Sequence, residues 1–135
     1  MSEKIGKFFV GVLRNNTTIS TAVSGRIYPV GRPMDAEEAD EVPYIVVMPQ
    51  GVKPNETEDG EYSDNCPVNM TVCATTYEDL VSLTVEVRNA IKTAAWSSSS
   101  LPFEVVQITY SSSAPQIDPQ KPCYFQELHW DVETI

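Results

Sequence analysis

His129 is the chain's single histidine, and it sits two residues from Glu127 and two from Asp131. Residues two apart in a strand point to one face. The spacing therefore predicts an imidazole flanked by carboxylates, the arrangement that orients a general base. A nucleophilic triad also needs a third, geometrically placed member, and spacing along the chain puts no serine or cysteine beside this ring. The plainer reading, preferred here, is the polar side of an alternating strand.

A second group with chemical potential is Glu56, Glu58, Asp59, Glu61 and Asp64. Five carboxylates supply the hard oxygens that calcium prefers, but the spacing does not follow the loop positions and internal glycine of an EF-hand. A solvated or partner-repelling segment fits an acidic run better. The three cysteines, Cys66, Cys73 and Cys123, lack the paired spacing or the extra histidines of a zinc site. They are expected to be small, semi-buried thiols. Gly51 and Gly60 stand apart and form no phosphate cradle. Trp96, at a helix end, and Trp130, on an apolar strand face, read as packing residues. No catalytic, cofactor-binding or metal-binding residue is assigned.

The distribution of charge narrows the partners. The 135 residues carry a net charge of −10. Ten of the acids lie between residues 35 and 64 with Lys53 as the sole base, so that window holds −9 and the remainder −1. Nucleic-acid binding draws its affinity from cations that displace phosphate counterions, so this chain is not expected to grip DNA. No apolar run approaches the roughly 20 residues that a membrane helix needs. Met1-Ser2-Glu3-Lys4-Ile5 opens no signal-peptide pattern. In a cytoplasmic chain the sequons at Asn15, Asn16, Asn55 and Asn69 would stay unmodified. The length suits one domain spanning 1–135.

These residues need elements to place them. Ile5, Phe8, Phe9, Val12 and Leu13 recur at helical spacing, predicting an amphipathic helix over about 3–15. A short helical turn over 19–23 is expected next, capped by Thr17 or Thr18. Gly25 precedes a strand near 26–28. Tyr44–Met48 is an unbroken apolar run, which predicts a strand covered on both faces. A helix layer would cover one face and a second subunit the other. Residues 50–65 show no periodicity and contain several breakers, so a long loop is expected. Val68, Met70, Val72 and Ala74 alternate with Asn69, Thr71 and Cys73, predicting a one-sided strand with Pro67 at its start. Thr75-Thr76-Tyr77-Glu78 reads as a capping box. The stripe Leu80, Leu83, Val87, Ala90, Ile91 and Ala94 predicts a helix over about 77–96, and Ser97–Ser100 a short flexible break. Alternation then predicts a hairpin of strands at about 103–112 and 123–133. Its connection, 114–122, carries Pro115, Pro119 and Pro122 and is expected to be stiff and poor at joining a sheet. Together this is an α+β fold: a mainly antiparallel sheet, helices packed on one face, and a long C-terminal hairpin.

The order of these features resembles the tail-completion, or tail-terminator, proteins of long-tailed bacteriophages and prophages. The resemblance rests on the N-terminal helix, Gly25-Arg26-Ile27-Tyr28-Pro29 and Pro43-Tyr44-Ile45-Val46-Val47. It continues through Ala74-Thr75-Thr76-Tyr77-Glu78 into a helix ending near Val87-Arg88-Asn89-Ala90-Ile91. The alternating strand Tyr124 to Val132 completes it. It covers nearly the whole chain and is carried by order and spacing, with departures at 50–65 and 114–122.

The resemblance implies a non-catalytic virion protein without a cofactor. Such a protein forms a homo-oligomeric ring, hexameric in that family, at the head-proximal end of the tail. The ring stops tube growth, and its partners are the tail tube protein and the head connector. The expected location is the virion tail, reached from the host cytoplasm. A head-closure or connector adaptor, or a related injection-machine part, stays open as an alternative; a small hydrolase built on His129 is the third. Within the ring reading, Glu56, Glu58, Asp59, Glu61 and Asp64 are expected to line a lumen through which DNA passes unheld. Tyr44, Val46 and Met48, with Pro115, Ile117, Pro119 and Pro122, are the candidate subunit or partner contacts.

Overall fold

The computed structural model describes residues 5–29, 43–56, 62–97, 105–118 and 123–134. In chain order the elements are α1 (Ile5–Asn15), α2 (Thr17–Ala22), β1 (Ile27–Pro29), β2 (Tyr44–Pro49) and β3 (Lys53–Glu56). They continue with β4 (Tyr62–Ala74), α3 (Tyr77–Ser97), β5 (Val105–Ser112), β6 (Gln116–Asp118) and β7 (Cys123–Thr134). The fold is α+β. The strands form one sheet in the order β1-β2-β4-β7-β5, with β3 paired to β4 and β6 paired to β7. Among the described strands only β1 and β2 run parallel; the other pairings are antiparallel.

One face of the sheet carries the core. Ile45 and Val47 of β2 sit across from Val72 and Met70 of β4, and Met70 and Val68 sit across from Leu128 and Trp130 of β7. Ile5, Phe9 and Leu13 of α1 and Leu80, Val87 and Ile91 of α3 close over this face, all buried. Burying such side chains stabilises the fold by roughly 1.5–3 kcal/mol each. The rings of Phe9 and Trp130 meet edge to face at 5.9 Å, and the Tyr110 ring lies 4.7 Å from that of Trp130.

Local chemistry sets the helix ends. The Asn16 side chain accepts a hydrogen bond from Ile19 N–H at 3.1 Å, so Asn16 caps α2, in place of the expected Thr17 or Thr18. Asparagine's short carbonyl arm reaches the orphan donor from outside the helix, which leaves both threonines inside it. Gly25, at φ +73, turns the chain out of α2 while its N–H donates to Ser20 O at 2.8 Å; a side chain would strain that backbone. Thr76 caps α3 through Asp79 N–H at 3.1 Å, which makes Asp79 the third helical residue.

Three segments differ from the sequence expectation. Residues 50–65 are not one long loop: β3 pairs with the first residues of β4, from Lys53↔Asn65 to Glu56↔Tyr62. Periodicity fails there because this ribbon runs past the helix-covered core, so no buried face imposes alternation. Pro67 lies inside β4 rather than at its start. Its carbonyl accepts from Gln50 N–H at 2.8 Å. A strand residue's N and O point to the same side, so the missing donor faces the gap where β2 gives way to β3, and the ladder to β7 is intact. Finally, the proline-rich connection contributes β6, with Gln116↔Phe125, Ile117↔Tyr124 and Asp118↔Cys123 in register. The three residues between Pro115 and Pro119 keep their N–H groups, and that is enough for a short edge strand.

Candidate functional site

The face of the sheet turned away from the helices gathers the odd-numbered residues of β4 and β7. Across it, Thr71 faces Glu127 and Asn69 faces His129, while Ser111 of β5 faces His129 from the other side. His129 Nδ1 lies 2.8 Å from Asn69 Oδ1, so a proton on Nδ1 is donated to the amide oxygen. Nε2 is then left 3.9 Å from Glu127 Oε2, beyond hydrogen-bond reach. Register thus brings a serine beside the imidazole, which the sequence could not reveal. Yet no hydrogen bond joins the two among the described residues, and the surface is an open sheet with His129 and Glu127 side chains 41% and 55% exposed. Among the described residues nothing shields a reaction from water there. Asn69 orients the ring and a carboxylate does not, so the arrangement is a surface network. Among the described residues no three His, Cys, Asp or Glu side chains converge as a metal site. Cys66, Cys73 and Cys123 are all buried, deeper than the sequence implied.

The residues expected to meet partners fall in two places. Tyr44, Val46 and Met48 turn to the face opposite the core; Val46 is buried and its two neighbours half-buried. β2 is an interior strand between β1 and β4, so its backbone offers no edge. Pro115 is exposed, and Ile117 of β6 is 57% exposed. Glu56 belongs to β3 and Asp64 to β4, paired across the ribbon to Tyr62 and Pro54. Glu58, Asp59, Glu61, Pro119 and Pro122 lie outside the described residues.

Two further surfaces flank α3. Tyr77, Val81 and Val85 project outward along one side, and with Ile117 they are the exposed large apolar side chains among the described residues. On the other side α3, α2, the end of β4 and Pro43, just ahead of β2, line a cleft of about 300 Å³. Buried Ile19 and Leu83 line its base, and exposed Asp79, Ser82 and Glu86 line its mouth. The 77/81/85 spacing is visible in the sequence as a second stripe, but the core stripe at 80, 83, 87 and 91 overshadows it. The cleft has no sequence signal because α2 forms it from a distance.

No family model matches the chain, and no curated protein matches it by sequence. Its fold does match solved structures. One is a chain of a structure described as the virion of a native gene transfer agent particle. The two superpose with a TM-score of 0.68 over 93% of this chain and 90% of that one, at 10% identity. The likeness is one of fold.

Proposed function

We propose that this chain is a structural virion protein, a ring-forming tail-completion protein at the head-proximal end of a phage-type tail. The observation that carries the reading is the fold shared, nearly end to end, with a chain of a gene transfer agent virion. The order of sequence features that resembles tail-completion proteins agrees with it independently. The open sheet face, on which the described residues form no enclosed reactive cleft around His129, supports a role in assembly over catalysis. In this reading a closed ring of copies stops tube growth and offers the head connector a surface. The acidic segment from Glu56 to Asp64 faces the lumen and repels phosphate. The neighbouring role, a head-closure adaptor, differs in partner. Deleting the gene decides between them: a tail-completion protein's loss gives overlong or frayed tails detached from filled heads. A head-closure adaptor's loss gives tails of normal length beside heads that leak DNA. Normal infectious particles from the deletion contradict both.

A further inference from the structure

Each of the four exposed large apolar side chains among the described residues belongs to one surface. Tyr77, Val81 and Val85 follow each other at i, i+4 and i+8 on α3, so they stack along one flank. The Tyr77 ring meets Tyr124 with centroids 6.3 Å apart, and Tyr124 is the cross-strand partner of Ile117. The surface therefore continues from the helix onto β6. Its far end is basic: Arg88 lies over the Tyr110 ring at 4.4 Å, and exposed Lys92 follows one turn later. At about 100° per residue, this flank and the mouth of the cleft at Asp79, Ser82 and Glu86 diverge by roughly 140° around α3. One flank of the helix is thus apolar with a basic far end, while the other is concave, apolar at its base and acidic at its mouth.

We propose that copies of this chain dock head to tail, the Tyr77–Val81–Val85–Ile117 surface of one seating against the Ile19–Leu83 cleft of the next. This deepens the ring reading and rests on it. The occupant is a second copy because each surface supplies what the other lacks. Arg88 and Lys92 approach Asp79 and Glu86, and the apolar ridge covers the apolar base. Parallel pairing of the ridge with itself would set Arg88 and Lys92 against their own copies, and like charges in contact are unfavourable; antiparallel pairing would leave the apolar base of the cleft uncovered. Two different surfaces meeting form a heterologous contact, whose repetition closes a ring when the rotation permits.

Sedimentation of mixed variants tests this. Val81→Asp with Val85→Asp breaks the ridge, and Ser82→Arg blocks the cleft; all three positions are exposed, and circular dichroism checks that the fold persists. Each variant alone should need at least tenfold more protein to associate than the unaltered chain. An equimolar mixture should give a one-to-one heterodimer, since one intact ridge and one intact cleft remain. Lys92→Glu and Glu86→Lys form a second, gentler set: each weakens association and the double variant regains it. Unaltered association of the ridge variant overturns the proposed surface while leaving the ring reading standing. A dimer of the cleft variant alone overturns it in favour of ridge-to-ridge pairing. A monomeric unaltered chain at millimolar concentration overturns it too, and the ring reading is then judged separately by the deletion phenotype.

Discussion

Phe9, Trp130 and Tyr110 tie α1 and the sheet together through two aromatic contacts. Phe9 is completely buried, and replacing such a side chain with alanine costs about 3–5 kcal/mol. Phe9→Ala is therefore expected to lower unfolding stability by that amount in a denaturant titration. Trp130 Nε1 is buried without an acceptor among the described residues, so the indole is retained for its ring and not for its donor. Trp130→Phe should cost less than Phe9→Ala, because it removes an unsatisfied donor along with some packing. His129 contributes a single surface hydrogen bond to Asn69. His129→Ala should cost no more than about 1.5 kcal/mol and leave particle assembly unchanged; loss of infectivity with an intact fold would revive a catalytic role. The sequence made the polar face of β7 legible through alternation alone. It could not show Asn69 or Ser111 beside His129, since register across strands lies 60 and 18 residues away along the chain.

At the scale of elements, the helices and the hairpin were legible because each has one buried face that imposes a period. What was missed lies where that constraint lapses. β3 and the start of β4 extend past the core, and β6 holds on by backbone pairing at the sheet edge. Removal of 115–121 should therefore act on folding as well as on assembly. The lost pairing with Phe125, Tyr124 and Cys123 should lower stability by about 1–3 kcal/mol, since each net hydrogen bond is worth roughly 0.5–1.5 kcal/mol, and assembly should weaken as well because Ile117 goes with it. Thermal melts and sedimentation of the same deletion check both. The packing of α1 on β2 is tighter than either pattern implies: a Cβ at Gly6 would run into the Pro49 ring. Gly6→Ala should therefore destabilise by about 1–3 kcal/mol from overpacking, offset in part by alanine's higher helix propensity. A gain in melting temperature would mean that α1 can shift.

For the whole molecule, charge is the property that the sequence displayed most openly and that links chain to assembly. With most of the negative charge between residues 35 and 64, a ring of copies would concentrate acid around one zone of its surface. In the lumen reading, Glu58→Gln, Asp59→Asn and Glu61→Gln together should leave tails joined to heads but slow DNA ejection measured by dye release. Ejection at the unaltered rate would place the segment elsewhere. The broader claim is that this chain is built into a virion where the tail meets the head, and labelling tests it most directly. With a small epitope on the chain and gold-conjugated antibody on purified particles, electron microscopy should show label confined to the head–tail junction. Particles without the chain, or label spread along the tail or over the head, would contradict it.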